Sequence, residues 1–291
     1  MISRVLANLA TKPGNAPLFD DPANYDLAYQ DVTFTAADGI GLSGWLINPG
    51  QNKVIIQNHF GIFCSRAGYT LEGKSRFVRA WPEDIPFLEH IKILADNGYT
   101  VLAYDLRNHG NSDQGTNPWI CDRQEEYKDV IAAVRFMSEH DDYRSAPIGL
   151  LSICMGSSST VLNYGIADGL QTFPDVRAMV AVQPLYSGAW FRNWNIPGFI
   201  FDRSAEYSVK RGGIDYRKSP ADHWKRVTVP TMIIQNNNDP IGERSYVEEC
   251  YTNLPTDKEM VWTGIEKSRL AAYADLARDP DKMLEWFSKH V

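Results

Sequence analysis

Residues 148–159 read IGLLSICMGSSS, and this stretch decides the fold. An apolar run of strand length reaches Cys154 and is followed at once by small residues that suit the start of a helix. This pattern is typical of a nucleophile elbow, a sharp strand-to-helix turn that lifts one side chain to the top of a sheet. The usual pattern is G-x-S-x-G, but here the central residue is Cys154 and Ser152 replaces the first glycine. The sequence therefore predicts a thiol where the usual pattern has a hydroxyl.

Strand-like and helix-like segments alternate on both sides of the elbow, from about residue 30 to the end. Asp38-Gly39 is typical of a hairpin turn between the first two strands. Strands separated by helices need crossover connections, which produce a parallel sheet. We therefore predict an α/β fold with a mostly parallel central sheet, flanking helices and an antiparallel hairpin at one edge. The predicted strands are 31–36, 40–47, 53–58, 100–105, the elbow strand, 177–183, 230–235 and 259–263, and the predicted helices are 85–97, 123–140, the elbow helix, 243–253 and 280–290.

Residues 186–222 interrupt this alternation and are rich in aromatic residues. Segments of this length without regular structure are uncommon in compact domains unless they are lids or binding segments. One interpretation is a lid that presents Trp190 and Trp194 to an apolar substrate pocket. The other is a small helical excursion whose aromatic side chains pack on the body. We divide the chain into an N-terminal extension, residues 1–30, and one domain, residues 31–291, that includes this lid.

The composition argues against several classes of protein. A net charge of -7 provides no basic face for nucleic acid, and no apolar run reaches the ~18 residues of a membrane-spanning helix. The four cysteines are widely spaced and show no metal-ligand pairing, which favours reduced thiols in a cytoplasmic protein. We therefore expect a cytoplasmic enzyme without a metal or cofactor, acting on a small apolar or acyl-bearing substrate. The sequence leaves a homodimer open.

Four segments, in this order, resemble those of the α/β-hydrolases, and the resemblance covers roughly residues 30–291. Residues 58–61, NHFG, are similar to the oxyanion loop after the third strand, and residues 104–112, YDLRNHGNS, to the turn after the fourth. The elbow follows, and residues 236–240, NNNDP, are similar to the loop that carries the catalytic acid. Dienelactone-hydrolase-like members of this superfamily have a cysteine nucleophile. The resemblance implies an α/β-hydrolase fold with acyl chemistry at the elbow.

The resemblance also assigns roles to residues near the elbow. Cys154 is the candidate nucleophile. The backbone N–H of Met155 would form one half of an oxyanion hole, and that of Phe60 or Gly61 the other half. His59 lies on the same loop, where its counterparts in the family mostly order the loop. It is also a candidate substitute base or substrate contact.

The acid and base positions depart from the family's pattern. Asp239 is the candidate acid, but residues 264–267 read GIEK where the family often has G-x-x-H. Lys267, 28 residues after Asp239, thus takes the place of the histidine. A buried lysine can lose its proton and serve as a base or imine former. A charged Lys267 would instead pair with Asp239, either to support a Cys154 thiolate or as a salt bridge in a silent site.

Three functions remain open from these residues. The first is hydrolysis or acyl transfer on an ester, thioester or lactone through Cys154. The second is a non-hydrolytic lyase, cyclase or isomerase of a biosynthetic pathway that uses Lys267. The third is a catalytically silent binding protein that kept the pocket. A fold does not determine chemistry. We therefore rank hydrolysis or acyl transfer first only because it is the most frequent function of the fold.

Overall fold

The computed structural model describes residues 2–12, 16–71, 84–119, 125–264 and 266–291. The strands of the described residues are β1 Tyr29–Thr35, β2 Gly41–Ile47, β3 Val54–Asn58, β4 Cys64–Ser65, β5 Gly68–Tyr69, β6 Ile85–Pro86, β7 Thr100–Tyr104, β8 Ile148–Ile153, β9 Val176–Val182, β10 Thr231–Asn236 and β11 Lys258–Thr263. The helices are α1 Ile2–Thr11, α2 Leu88–Asp96, α3 Glu126–Glu139, α4 Met155–Leu162, α5 Ser187–Asn193, α6 Gly198–Lys210, α7 Arg244–Asn253, α8 Ala271–Arg278 and α9 Asp281–His290.

The main sheet has the strand order β1-β2-β7-β3-β8-β9-β10-β11. Strand β2 pairs antiparallel with β1 and with β7, and all other neighbours in this sheet are parallel. The predicted mostly parallel sheet with an antiparallel hairpin at one edge is therefore confirmed. Parallel strands end at one edge of the sheet, so the loops after β3, β8, β10 and β11 lie near one another there.

Helices cover the sheet on both faces, which explains why β3, β7 and β8 are buried along their whole length. Side chains alternate between two hydrophobic clusters, one on each face. In β3, for example, Val54 and Ile56 belong to one cluster and Ile55 belongs to the other. The first cluster includes residues of α3 and α7, and the second includes residues of α2, α8 and α9.

Some boundaries differ from the prediction. The predicted helix over 85–97 begins only at Leu88, because residues 85–86 pair with β5 as a short strand. It ends before Gly98, whose φ of 82° is compatible with the glycine stop that the sequence predicts. The start of the predicted helix over 123–140 lies outside the described residues, and the described helix is α3.

Helices over residues 186–222 pack against the N-terminal segment, which the sequence analysis treated as an extension. Helix α1 contacts α6, and Leu6 and Ala10 share a buried cluster with Trp190, Phe191 and Ala205. The aromatic segment is thus a helical excursion whose inner side chains do pack. Within the described residues no helix is both long and apolar enough to cross a membrane.

Candidate active site

Cys154 occupies the sharp turn between β8 and α4, where the sequence predicts it. Its backbone has φ 51° and ψ -104°, a conformation that residues with a side chain rarely adopt. Such a conformation costs about 1–3 kcal/mol and persists only where the surroundings fix it. Here the Cys154 N–H donates to the carbonyl of Val182 in β9 at 2.8 Å. The elbow therefore holds the thiol in a strained position at the carboxyl edge of the sheet.

A buried polar network explains why Ser152 replaces the first glycine of the usual pattern. The Asn58 amide donates to Ser152 Oγ at 3.1 Å and to Thr160 Oγ1 at 3.3 Å. The hydroxyls of Ser152 and Thr160 lie 2.9 Å apart, and Tyr104 donates to Asn58 Oδ1 at 2.7 Å. These bonds join β3, β7, β8 and α4 directly beneath the elbow. Ser152 therefore positions the elbow rather than weakening it.

Gly156 allows α4 to lie against the end of β3. A Cβ atom at this position would approach the carbonyl oxygen of Asn58 to 2.2 Å. We expect Gly156→Ala to destabilise the protein by about 1–3 kcal/mol, because the backbone must shift to relieve the overlap. Urea unfolding measures this change. Gly198→Ala is the matched control, since nothing lies within 4 Å of its Cβ position, and an equal loss in both variants would contradict the prediction.

The side chain of His59 is engaged in hydrogen bonds that order the loop after β3. Its Nδ1 lies 2.7 Å from the carbonyl of Phe60, and its Nε2 accepts from the N–H of Leu106 at 3.0 Å. Burial, and then the charge of His109, lower the pKa of His59 to about 3. The proposed role of His59 as a substitute base or substrate contact is therefore wrong: the ring is fully buried, with both nitrogens engaged. It orders the loop, together with His109, whose Nε2 lies 3.0 Å from the carbonyl of Gly61.

The predicted oxyanion donors lie on either side of Cys154. Met155 begins α4, and Gly61 lines the same two cavities as Cys154. In the part of the chain that the structure describes, the N–H groups of Met155, Phe60 and Gly61 donate to no other backbone group. The role of these N–H groups as oxyanion donors stays a prediction.

Asp239 is paired with Arg269, not with Lys267. The Asp239 carboxylate accepts from Arg269, from Gln235 Nε2 at 3.1 Å and from the N–H of Ile241 at 2.9 Å. The side chains of Arg269 and Asp239 are only 4% and 2% exposed, whereas Lys267 is exposed to solvent. The prediction that Lys267 converges on Asp239 and Cys154 is therefore wrong.

The loop after β11 explains this correction. Asn236 at the end of β10 donates to the carbonyls of Glu266 at 2.9 Å and Ser268 at 2.5 Å. These bonds fix the backbone on both sides of Lys267, while its side chain is left outside. Arg269, two residues later and 30 residues after Asp239, enters the site instead. It also donates to the carbonyl of Gln183 at 2.7 Å.

The buried charges of the pair stabilise each other. Burial alone would raise the pKa of Asp239, but Arg269 and the N–H groups of Gly242 and Ile241 outweigh it and lower the pKa. Burial alone would lower the pKa of Arg269, but Asp239, Tyr273 and Cys154 raise it. Arg269 and Cys154 both line the first cavity. The site thus places a permanent positive charge beside the thiol.

Tyr273 completes the polar part of the site. It lies in α8, is 2% exposed and stacks on Phe60 with ring centroids 5.0 Å apart. Burial, followed by the charges of Cys154 and Asp239, raises the pKa of Tyr273 despite the opposing effect of Arg269. The hydroxyl therefore keeps its proton at neutral pH and can donate, but cannot serve as a base.

Two small cavities meet at Cys154, with volumes of about 50 and 60 Å³. Trp190 lines both of them, and its role as a substrate contact stays a prediction. Trp194 lines neither and is 42% exposed, so its predicted substrate contact is not present in this structure. The residues shared by the cavities are Gly61, Ile62, Cys154, Leu185 and Trp190; the first adds Phe60, Ile241, Arg269, Leu270 and Tyr273, and the second adds Ala10, Met155, Tyr186, Ser187 and Ile214.

Arg269, Tyr273 and Ala10 are among the residues of the site that the sequence analysis missed. Arg269 lies just beyond the expected G-x-x-H position, so a search over a slightly longer loop would have included it. Tyr273 follows it by one helical turn. Ala10 carries no chemical signal, because its contribution depends on how α1 packs. Within the described residues no group of three or more His, Cys, Asp or Glu side chains is arranged to hold a metal ion.

Comparisons with known proteins agree with this architecture. The model of the family described as "Serine aminopeptidase, S33" matches residues 87–197. The esterase Pf2001 of Pyrococcus furiosus has a similar structure, with a TM-score of 0.65 and 21% identity, over 93% of this chain and 94% of that one. A dienelactone hydrolase of Anabaena variabilis gives a TM-score of 0.56 and 15% identity, over 91% and 99%. The chain therefore has the α/β-hydrolase fold, as its sequence predicts.

One curated relative is similar in sequence. The thiohydrolase aneE of Aspergillus aculeatus is 24% identical over 238 residues, which make up 81% of this chain and 65% of that protein. This chain thus spans less than two thirds of the length of that relative.

Proposed function

We propose that this chain takes an acyl group from an ester, thioester or lactone onto the sulfur of Cys154. The observation that carries the proposal is the strained elbow, which places Cys154 in the lining of two cavities, together with Gly61 in both and Met155 in the second. A carbonyl carbon attacked by the sulfur would develop negative charge on its oxygen. Backbone N–H groups that point to this oxygen stabilise the transition state.

Arg269 suits a thiol nucleophile better than a hydroxyl. A thiolate attacks without a base, whereas a serine hydroxyl needs a neighbouring group to remove its proton. Arg269 cannot remove a proton, because a guanidinium stays charged in proteins. It can, however, balance the negative charge of a Cys154 thiolate. Cysteine at the elbow and arginine near the histidine position are therefore chemically consistent with each other.

A thioester is the substrate that this arrangement favours. When a thioester is cleaved, its thiol leaves as a stable thiolate and needs no proton from the site. An unactivated ester releases an alkoxide, which does need one, and Tyr273 in the lining of the first cavity is a candidate donor. The similarity to a protein named as a thiohydrolase supports the same choice. The alternative that relied on Lys267 as base or imine former has lost its structural support, because this side chain is exposed.

Steady-state kinetics with p-nitrophenyl butyrate, a butyryl thioester and a small lactone test this proposal. Cys154→Ala is expected to remove all turnover, because no other residue at the elbow can form the acyl-enzyme. Cys250→Ala is the matched control, since Cys250 is a free, fully buried cysteine in α7. Unchanged turnover in Cys154→Ala would sink the covalent mechanism. If the wild type shows neither turnover nor an initial burst of released leaving group with any of the three substrates, the silent binding protein is supported instead.

The second cavity predicts a role for the N-terminal helix. Ala10 is 5% exposed and lines the cavity, so Ala10→Trp would fill it. We expect this variant to lower kcat/KM by about tenfold or more for substrates with large leaving groups, since one misplaced group costs ~1–3 kcal/mol of binding. Val5→Trp is the control, because Val5 lies on the exposed side of the same helix and is 60% exposed. Equal kcat/KM values in both variants would contradict the prediction.

A further inference from the structure

Among the described residues that line the two cavities, Cys154 can accept an acyl group, but none can activate water to release it. All six histidines belong to the described residues, and none lines either cavity. Arg269 stands where the resemblance leads one to expect a histidine, and it cannot accept a proton. A general base contributes about 10²–10⁴-fold to such a step. Hydrolysis of an acyl group on Cys154 would therefore be slow.

Asp239 and Tyr273 do not replace that base. Asp239 is buried, and its two oxygens already accept from Arg269, Gln235 and Ile241. Burial raises the pKa of Tyr273, which therefore keeps its proton, and Tyr273 lines the first cavity together with Cys154. Both groups can stabilise charge in the site. An acceptor for the acyl group must therefore already be ionised in solution, because the site does not remove its proton.

Cys154 lines both cavities, and each cavity also has five lining residues of its own. The first is bounded by Arg269 and Tyr273, and the second by Ala10 and Ser187. Cys154 lines both cavities, as do Leu185 and Trp190, so a group bound in either cavity can contact the sulfur. One cavity can hold the acyl group. The other can hold first the leaving thiol of the donor and then the acceptor.

We propose that this protein exchanges acyl groups between two thiols, an inference that rests on the function proposed above. In the first step the Cys154 thiolate attacks the donor thioester; the new carbon–sulfur bond forms as the donor's carbon–sulfur bond breaks, and the donor thiol leaves as a thiolate. In the second step an acceptor thiolate attacks the acyl-Cys154 thioester and releases the Cys154 thiolate. The two steps are the same reaction in opposite directions, with no net change in protons or electrons.

Thiols are the acceptors that this site selects. A free thiol has a pKa near ~8.5, so a usable fraction is already ionised at neutral pH, whereas an alcohol or water needs a base. The positive charge of Arg269 beside Cys154 also favours an incoming anion. Thiol acceptors are therefore expected to remove the acyl group faster than water or alcohols do. The expected ratio of the rates is the factor of about 10²–10⁴ that a general base would contribute.

The test follows the decay of an isolated acyl-enzyme by intact-mass spectrometry. The wild-type protein is loaded with S-phenyl thiobutyrate, freed of reagent and chased with buffer, with N-acetylcysteamine or with N-acetylethanolamine. The last two differ only in a thiol against a hydroxyl. We expect the thiol to accelerate decay about 100-fold or more over buffer, in a saturable way, and the alcohol to have little effect. The urea-unfolded acyl-protein gives the background rate of chemical exchange.

The Arg269→His variant provides a second test of the same inference. A histidine there would act as a base toward water, so decay in buffer is expected to rise by about 10²-fold. Rapid decay of the wild-type acyl-enzyme in buffer alone, an equal effect of the alcohol, or thiol exchange no faster than the unfolded background would each overturn the inference. These outcomes leave the proposed acyl-enzyme intact. If no acyl-enzyme forms at all, the proposed function fails first.

Discussion

Replacing Arg269 with alanine is expected to lower the free energy of unfolding by about 3–5 kcal/mol, because it leaves the buried carboxylate of Asp239 without its cation. Both side chains of this pair are almost fully buried, with exposed fractions of 4% and 2%. Arg269 also donates to the carbonyl of Gln183, which would lose this donor. Urea unfolding of both proteins at pH 7 measures the difference.

The matched control is Arg192→Ala. Arg192 also pairs with a carboxylate, that of Glu243 at 2.7 Å, but its side chain is 47% exposed. Exposed pairs of this kind contribute ~0–1 kcal/mol. Equal destabilisation in the two variants would contradict the view that burial makes the Arg269–Asp239 pair special. A variant that replaces both Arg269 and Asp239 with apolar residues is expected to recover part of the loss.

The same pair predicts how stability depends on pH. The pKa of Asp239 is lower in the folded protein than its ordinary value. Such a group stabilises the folded state above its unfolded pKa of ~3.9, and this contribution is lost as the pH falls through the folded pKa. Thermal unfolding between pH 6 and pH 2 is expected to show a larger loss of Tm in the wild type than in Asp239→Asn.

Cys154→Ser is expected to reduce acyl-enzyme formation by about 10³-fold or more. A serine hydroxyl must lose its proton as it attacks, and the base that removes it contributes about 10²–10⁴-fold. Neither Arg269 nor Tyr273 can accept this proton. Burst kinetics with p-nitrophenyl butyrate measure the step. A serine variant that retains a tenth or more of the wild-type rate would show that a base exists in the site.

A double variant separates this explanation from a packing effect. Cys154→Ser combined with Arg269→His rebuilds a Ser–His–Asp set with Asp239. It is expected to recover about tenfold over Cys154→Ser alone, since the histidine supplies the missing base. Failure of the double variant to recover, although it folds, would indicate that the hydroxyl is simply misplaced.

The elbow could be predicted from the sequence because its signals are local. The apolar run, Cys154 and Gly156 are adjacent, and the turn chemistry of that stretch admits few other structures. The sheet followed from the alternation of strands and helices for a similar reason. Ser152 was visible as a departure, but its partners Asn58 and Thr160 lie far away in sequence, so its role required the structure.

The basic residue of the site could not be predicted with the same rule. Choosing Lys267 relied on a fixed spacing within a loop, whereas the hydrogen bonds from Asn236 decide which side chain faces inward. The position of Ala10 in the lining of the second cavity could not be predicted for a different reason. The docking of α1 on α6 depends on long-range packing, so residues 1–30 resembled a simple extension.

The central claim is that Cys154 carries the acyl group, and locating that group tests it most directly. The wild-type protein is quenched with acid during turnover of a butyryl thioester, digested, and its peptides are sequenced by tandem mass spectrometry. The account predicts a butyryl group on Cys154 and on no other residue. Turnover that continues while Cys154 stays unmodified, or a butyryl group found on Lys267 instead, would contradict it.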